Sequence, residues 1–351
     1  MRIIADKIAS VTKNVALTRE LRLASEILAV EGQIIAGRLH GQKSVYNQVE
    51  NCQGRMVTLQ EGDILVGALG HRNALHGYSG VVPDSVKVGD RLNVLNLGGV
   101  IGQCTSINPE YGKPFEFEVL GSVLIFPDFQ SRQGIPAQTS MNALPQVTSL
   151  ASYPKTPLVF VAGTCMQAGK TFATCQIIRA LSSAGLKVGA CKVTGVSLMR
   201  DTLNMLDYGA DAIQSFMDAG VVTTDEKTSL PAALAVIGSL SEKGLDAIVV
   251  ELGDGILGQY GVQGILGSQE LINRVAALIM CANDPVAAWG AAAIMNDTYK
   301  RKIDLFSGPT TDNAAGTGYI EKELGIPAIN ARNNGKELGE FILNLVKNHG
   351  C

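Results

Sequence analysis

Glycine, lysine and threonine stand together in one short segment that follows an apolar run. Residues 159–171 read VFVAGTCMQAGKT, so Gly169, Lys170 and Thr171 close a loop that begins at Gly163. In a loop of this composition the backbone N–H groups point at phosphate oxygens, the lysine reaches the outer phosphates and the threonine hydroxyl holds Mg²⁺. The segment therefore predicts a triphosphate-binding loop.

The flanks of this loop have the pattern of a strand before it and a helix after it. Residues 157–162 form an apolar run, and residues 170–185 carry apolar side chains at helical spacing. A GK[ST] match alone is common by chance, and the alternative here is an ordinary strand, turn and helix. We expect the nucleotide to be bound by loop residues Gly163, Thr164, Gln167, Ala168, Gly169, Lys170 and Thr171.

Two further apolar runs end in a charged residue. Lys192 lies in the run ACKVTG, where a buried lysine is costly unless its charge is paired, so it meets a phosphate, a substrate carboxylate or an acidic neighbour. The alternative is a lysine on an edge strand whose ammonium reaches solvent. Glu251 ends the run AIVVE and suits a Mg²⁺ ligand, whereas Asp254 better fits a turn or a cap. Thr194 is a candidate substrate contact in the same region.

Asp201 and Asn283 each have a functional and a structural interpretation. Asp201 follows the Lys192 run and is a candidate second ligand for metal or substrate, or the N-cap of the next helix. Asn283 follows another apolar run, and either Asn283 or Asp284 caps the helix that Pro285 opens. Equally, the Asn283 amide can face a nucleotide base.

From residue 157 onward the chain alternates between strand and helix patterns. This alternation predicts an α/β fold with a mainly parallel sheet, helices on both faces, and ligands at the C-terminal ends of the strands. The predicted strands are 158–162, 188–193, 247–251, 277–282, 303–306 and 328–330, with helices at 231–243, 313–324 and 336–347.

The first part of the chain has a different pattern, in which short apolar or alternating runs are separated at short intervals by Gly, Asn, Asp and Pro. It predicts a smaller β-rich domain, a barrel or a sandwich, over 1–126, followed by a linker or wrapping segment over 127–156 and the phosphate-loop domain over 157–351. Its predicted strands are 32–39, 55–59, 63–69, 91–97 and 115–125, with a helix at 21–30.

One loop of the β-rich part, GHRNALHGYSG at 70–80, carries a cation and histidines. Arg72 could receive an anionic substrate and His76 could act as acid or base. The alternative is an ordinary polar hairpin.

Composition excludes several classes of protein. The 351 residues carry a net charge of -3 and only 17% charged residues, so clustered Lys and Arg for nucleic acid or an anionic membrane are not indicated. No apolar run reaches membrane-spanning length, and the N-terminus lacks a signal-peptide core. Seven cysteines without a CxxC pair favour reduced thiols and, with the other features, a cytoplasmic protein.

The segments GTCMQAGKT, ACKVTG and VVELGDG, in this order, resemble the dethiobiotin synthetase-like branch of P-loop proteins. That branch also includes cobyrinic acid a,c-diamide synthase and the molybdopterin-guanine dinucleotide protein B group. The resemblance covers residues 157–351. It implies that Lys170 and Thr171 bind ATP and Mg²⁺, that Lys192 contacts phosphate or an activated substrate, that Glu251 shares the metal, and that the protein is a homodimer.

Two departures from the branch leave the substrate open. Val193 replaces the proline of a KPV-type motif, and Leu252 replaces the first glycine of an EGxGG-type motif. We expect an enzyme that uses Mg-ATP to phosphorylate a small, anionic carboxylate or carbamate before an amide or urea bond forms, with Lys170, Lys192 and Glu251 as its catalytic residues. The alternatives are a small-molecule kinase, a CoA-dependent acyltransferase and a nucleotide-gated adaptor.

Overall fold

The chain divides into two compact units. The computed structural model describes residues 1–127 and 133–349. Unit 1 comprises Met1–Leu144, Val196–Arg200 and Met217–Thr223, and unit 2 comprises Pro145–Gly195, Asp201–Phe216 and Thr224–Cys351. Residues 128–132 of the predicted linker lie outside the described residues. Unit 1 thus takes in two short pieces of chain that come from within the phosphate-loop half of the sequence.

Unit 1 is built from twelve short strands among its described residues, with 3₁₀ turns at Ser10–Thr12 and Pro109–Tyr111. The strands are β1 (Arg2–Ile4), β2 (Lys7–Ile8), β3 (Glu20–Ala24), β4 (Ile34–His40), β5 (Gln48–Glu50), β6 (Met56–Thr58), β7 (Ile64–Leu69), β8 (Tyr78–Val81), β9 (Arg91–Val94), β10 (Val100–Ile107), β11 (Glu116–Ile125) and β12 (Ile135–Pro136). The five strands predicted in this part correspond to β4, β6, β7, β9 and β11.

Five of these strands pair in a closed ring. β11 pairs with β4, β4 with β7, β7 with β10, β10 with β9, and β9 returns to β11. The pairing of β7 with β10 is parallel and the other four are antiparallel. Closure leaves no open edge in the ring, so the β-rich part is a barrel rather than a sandwich.

The predicted helix at 21–30 is wrong, because this segment begins as strand β3. Leu21 and Leu23 are buried while Glu20 and Arg22 are exposed, which is the two-residue period of a strand. β3 pairs with both β1 and β11, so its backbone groups are bonded within the sheet.

Unit 2 has one parallel sheet of six strands. In sheet order these are β15 (Ala212–Ser215), β14 (Val188–Lys192), β16 (Ala247–Glu251), β13 (Leu158–Gly163), β17 (Val275–Cys281) and β18 (Leu305–Ser307). Every neighbouring pair is parallel, so their C-terminal ends lie at one edge. Five strand predictions are confirmed, β15 was not predicted, and the strand predicted at 328–330 is wrong, because Ala328 makes only a single bridge to Phe306.

The helices of the described residues lie between these strands in the sequence or, for the last two, after β18. They are α1 (Lys170–Ser183), α2 (Arg200–Asp207), α3 (Ser229–Ser241), α4 (Val262–Leu266), α5 (Gln269–Ile272), α6 (Pro285–Asp297), α7 (Ala314–Tyr319) and α8 (Gly335–Asn348), with a π-helical turn at Ile320–Leu324 and a 3₁₀ turn at Pro309–Thr311. The three predicted helices correspond to α3, α7 with its π-helical turn, and α8.

Both faces of this sheet are covered. Val159 and Val161 of β13 pack in one core with Ile178 of α1 and Ile342 of α8. Phe160, between them in sequence, is fully buried outside that core, and successive strand residues point to opposite faces. Helix α3 contacts β14, β15 and β16. The strands are therefore buried on two sides, which is why they are continuous apolar runs.

Residues 145–157 lie against the end of unit 2 that carries β17. Arg274 is 8% exposed and donates to the carbonyl oxygens of Pro154 at 2.6 Å, Leu150 and Tyr153. Glu270 accepts from Leu150 N–H at 2.6 Å and from the Ser149 hydroxyl at 2.7 Å. One arginine and one glutamate thus fix this segment through its backbone.

Replacing Arg274 by Met tests this attachment. The substitution keeps an apolar stem and removes the donors to three carbonyl groups, so the free energy of unfolding is expected to fall by about 2–3 kcal/mol. Guanidinium unfolding followed by circular dichroism and by fluorescence of the single tryptophan, Trp289 on α6, measures the loss. Arg179→Met, at an exposed position of α1, is the control, with an expected change within about 0.5 kcal/mol. Equal stability of the two variants would contradict the assigned role.

Candidate functional site

The loop between β13 and α1 has the shape of an anion cradle. Gln167 and Gly169 have positive φ values of 62° and 87°, so the backbone turns sharply before α1 begins at Lys170. Among the hydrogen bonds of the described residues, none is donated by the backbone N–H groups of residues 165–170. Unpaired N–H groups at a helix N-terminus, next to left-handed residues, form a concave site for a phosphate group.

Lys170 lies folded back over this loop. Its side chain is 6% exposed, and Nζ donates to the carbonyl oxygen of Cys165 at 2.7 Å. Burial lowers the pKa of Lys170, and the negative charge of Glu251 opposes that shift. Gly163 makes room for the lysine stem, since a Cβ there would lie 2.9 Å from its Cδ.

A charged network lies at the ends of β14 and β16. Lys192 and Glu251 are opposite each other in the strand register, and Lys192 Nζ is 3.3 Å from Glu251 Oε1. Lys192 also forms an ion pair with Asp201, in the first turn of α2. The Thr171 hydroxyl donates to Glu251 Oε1 at 3.1 Å. The structure therefore brings together four of the residues predicted to bind metal or phosphate.

The burial of this network sets its electrostatics. Burial alone would lower the pKa of Lys192, but the attraction of Asp201 and Glu251 outweighs it and raises the pKa above the ordinary lysine value. Burial raises the pKa of Glu251, opposed by Lys192 and Lys170. The Lys192 ammonium and the Thr171 hydroxyl both point at Glu251 Oε1, which is the arrangement expected around an ionised carboxylate. Glu251 Oε2 is buried and has no hydrogen-bond partner among the described residues.

Two threonines hold the turn after β14. The Thr194 hydroxyl donates to the carbonyl oxygen of Gly253 at 2.9 Å, and Thr194 is fully buried. The Thr224 hydroxyl accepts from Gly195 N–H at 2.8 Å and donates to the carbonyl oxygen of Tyr260 at 2.8 Å. Thr194 thus joins the ends of β14 and β16, while its contact with a substrate stays a prediction. Thr224 was not predicted, because its role depends on tertiary contacts.

The residues that follow β17 and β18, on the opposite side of β13 from β14 and β16, also contact the phosphate loop. Asn283 Nδ2 donates to Cys165 Sγ at 3.0 Å, and Asp284 accepts from Ala287 N–H at 2.9 Å as the N-cap of α6. The capping question is therefore decided in favour of Asp284, and Asn283 contacts the loop. Gly308, after β18, lies so close that a Cβ would be 2.4 Å from the carbonyl oxygen of Ala168.

The turn after β16 was predicted from the sequence, but its contact with the phosphate loop was not. Ile256 N–H donates to the carbonyl oxygen of Gly163 at 2.9 Å, so this turn lies on the start of the phosphate loop. Asp254 has a positive φ of 72°, and burial raises the pKa of its carboxyl group. A Cβ at Gly255 would lie 2.4 Å from the carbonyl oxygen of Thr164. The glycines of ELGDG were the available signal.

Arg72 and His76 lie in unit 1. Arg72 is 4% exposed, and its guanidinium donates to the Tyr46 hydroxyl at 2.8 Å, to the carbonyl oxygen of Leu95 and, at 3.4 Å, to that of His76. The His76 side chain is exposed. These contacts give Arg72 a structural role within the unit, and substrate binding by this loop stays a prediction.

The described residues include no histidine, cysteine or carboxylate cluster of the size that a protein-only metal site needs. Within residues 1–127 and 133–349, no group of three or more His, Cys, Asp or Glu is arranged to hold a metal. No helix in the described part of the chain has both the length and the apolar character needed to cross a bilayer. The six described cysteines are free thiols, three of them buried, and Cys351 lies outside the described residues.

Comparison with known proteins adds distant structural likenesses. No protein-family description and no curated protein matches the sequence. Among solved structures, a DUF1611 family protein from Anabaena variabilis is 13% identical with a TM-score of 0.41, over 62% of this chain and 67% of that one. A ParA family ATPase from Chlorobium tepidum is 12% identical with a TM-score of 0.32, over 55% and 94%.

A third solved structure, the signal recognition particle receptor FtsY from Elizabethkingia anophelis, is 12% identical with a TM-score of 0.37, over 55% of this chain and 68% of that one. Likenesses at this level assign neither a family nor an activity. The resemblance to the dethiobiotin synthetase-like branch stays a prediction.

Gly255→Ala tests the contact between the β16 turn and the phosphate loop. The added Cβ meets backbone atoms of Thr164 and Cys165, so the loop must shift, at an expected cost of about 1–3 kcal/mol in the free energy of unfolding. Faster amide hydrogen exchange at residues 163–171 is expected with it. Gly264→Ala is the matched control, because its Cβ would meet only the Ser229 hydroxyl, at 3.7 Å. Unchanged exchange at 163–171 in Gly255→Ala would show that the contact does not hold the loop.

Proposed function

We propose that unit 2 binds a nucleoside triphosphate with Mg²⁺ and transfers the terminal phosphoryl group to a small anionic acceptor. One observation carries the proposal. Lys170, Thr171, Lys192 and Glu251 converge at the end of the sheet, around a loop whose backbone N–H groups are unpaired. Phosphoryl transfer needs positioned positive charge around the transferring group more than covalent chemistry, and this arrangement provides it.

The donor set fits Mg²⁺. Glu251 has a buried oxygen without a partner, and its other oxygen accepts from the Thr171 hydroxyl, so these two residues would hold the ion, with Asp201 as a further ligand. Mg²⁺ takes few protein ligands and keeps waters and substrate phosphates, which agrees with a site of two carboxylates and a hydroxyl. When bound, the ion would neutralise charge that develops on the phosphates.

The charged groups of the site best match a phosphoryl acceptor that is a carboxylate or a carbamate. An alcohol acceptor needs a base to take its proton, whereas a carboxylate is already ionised at neutral pH. In the loaded site Asp201 and Glu251 would be occupied as Mg²⁺ ligands, and Asp254 accepts from the backbone N–H groups of its own turn. These carboxylates are therefore poorly placed to act as a base, while Lys170 and Lys192 suit an anionic acceptor.

The reaction that follows from this assignment has two steps. An oxygen of the acceptor carboxylate attacks the γ-phosphorus, the bond to the β,γ-bridging oxygen breaks, and the nucleoside diphosphate leaves with that electron pair. An amine then attacks the acyl carbon of the acyl phosphate, phosphate leaves, and the nitrogen releases one proton. The protein supplies Lys170 and Lys192 as fixed cations, and the backbone N–H groups of residues 165–170 orient the phosphates.

Several finer assignments belong to the same proposal. ATP is proposed as the nucleotide, with Asn283 near its base, because Asn283 follows β17 and contacts the phosphate loop. A cytoplasmic homodimer is proposed from the sequence and its resemblance, and substrate contacts by Arg72, His76 and Thr194 stay open to test.

Lys170→Ala tests nucleotide binding directly. Loss of the buried ammonium is expected to weaken the affinity for a fluorescent ATP analogue with Mg²⁺ by roughly 100-fold, since a charge-assisted contact to phosphate is worth about 1.5–3 kcal/mol. Fluorescence titration measures the affinity, with Lys187→Ala, an exposed lysine before β14, as the control. Undiminished affinity in Lys170→Ala, with circular dichroism showing a folded chain, would remove the basis of the proposal.

Product analysis tests the reaction class. With ATP, Mg²⁺, an amine donor and a panel of small dicarboxylic and amino acids, we expect ADP and inorganic phosphate in equal amounts, together with an amide or urea product found by mass spectrometry. A stable phosphorylated acceptor would indicate a kinase, and free CoA from an acyl-CoA would indicate an acyltransferase. Slow hydrolysis that rises only with a protein partner would indicate an adaptor.

A further inference from the structure

Lys192 occupies the point at which the two candidate metal-binding carboxylates meet. Its Nζ contacts Asp201 Oδ2 and lies 3.3 Å from Glu251 Oε1. The side chains of Lys192, Asp201 and Glu251 are 16%, 13% and 1% exposed, so solvent screens this contact poorly. We propose that Lys192 stands in for the divalent cation in the nucleotide-free site, so that metal enters only together with the nucleotide. This inference rests on the proposed function for the identity of the metal site.

The first step is that the two carboxylates require a cation between them. Two buried carboxylates that converge on one point repel each other, and an ammonium group or a metal ion relieves the repulsion. Lys192 does so in this structure with one positive charge. The unpartnered Oε2 of Glu251 shows that the ammonium leaves part of the oxygen donor set unused.

The second step concerns a metal ion that arrives alone. It would meet the Lys192 ammonium in a buried space, with the ammonium of Lys170 also within electrostatic range of Glu251. Asp254 also lies within electrostatic range of Lys170 and Lys192, and its carboxylate accepts from the N–H groups of Gly255 and Gln259. A divalent ion would therefore add positive charge beside two buried ammonium groups, which is unfavourable.

The third step concerns a metal ion that arrives with phosphates. Phosphate oxygens give Lys192 an alternative anionic partner, and they bring negative charge that balances the added ion. Glu251 is then released from Lys192, and both of its oxygens become available as ligands. The ion pair thus excludes free divalent ions from the site, and the metal binds only when the nucleotide binds.

The test uses Mn²⁺ alone as the probe, on the full chain without nucleotide, with free Mn²⁺ counted by electron paramagnetic resonance. The wild-type chain is expected to bind no Mn²⁺ in the micromolar range. Lys192→Met removes the ammonium from between the two carboxylates and is expected to bind one Mn²⁺ per chain, with an affinity at least about tenfold above that of the wild type. Adding Glu251→Gln to Lys192→Met is expected to abolish that binding.

Two further variants keep the test decisive. Lys192→Arg retains the positive charge and is expected to exclude Mn²⁺ like the wild type. Lys187→Met removes an exposed lysine and is expected to change nothing. If Lys192→Met does not fold, a rise in the thermal unfolding temperature of Lys192→Gln with Mn²⁺, and none for the wild type, gives the same answer.

The opposing results are equally specific. Binding of one Mn²⁺ by the nucleotide-free wild type as tightly as by Lys192→Met would overturn the proposal, and so would failure of the folded Lys192→Met and Lys192→Gln chains to bind Mn²⁺. These readouts contain no nucleotide and no turnover. Failure of the proposed function would instead show as unchanged ATP affinity in Lys170→Ala, so the two failures are distinguishable.

Discussion

The buried ion pair of Lys192 with Asp201 and Glu251 is the interaction on which the arrangement at the C-terminal edge of the unit 2 sheet depends. Lys192 and Glu251 end adjacent parallel strands in register, so the sheet itself brings their side chains to the same edge. Removing an ammonium and a carboxylate from water costs several kcal/mol each, and only close pairing offsets that cost. The pair therefore adds little net stability, but loss of one partner would leave an uncompensated buried charge.

Close approach of backbones is the second constraint on this site. Gly253, Gly255 and Gly308 each lie where a Cβ would come within 2.2–2.4 Å of a carbonyl oxygen, in the turn after β14 or in the phosphate loop. Side chains at these positions would hold the strand ends apart. The charged groups could then no longer converge, because an ion pair weakens steeply as its atoms separate. Glycine spacing and charge placement therefore act together.

The sequence predicted the phosphate-loop half well because its signals are local. The run AIVVE became β16 with the predicted bounds, and the loop at Gly163 to Thr171 lies between a strand and a helix. The strand and helix predictions failed where the local sequence pattern is weak or misleading. Ala212–Ser215 is short and half polar, and 21–30 mixes a strand with a coil of aliphatic residues. The contacts of Gly308 and Thr224 are tertiary, so no spacing in the sequence could indicate them.

The backbones of the ion pair's partners are held by regular structure of unit 2, which leaves the lysine side chain as the adjustable part. Lys192 ends β14, which is bonded to β15 on one side and to β16 on the other. Asp201 lies in the first turn of α2, and Glu251 ends β16. A lysine has a flexible stem of four carbons with a charged group at its end. The Lys192 ammonium can therefore move to a new anionic partner without a shift of the strand.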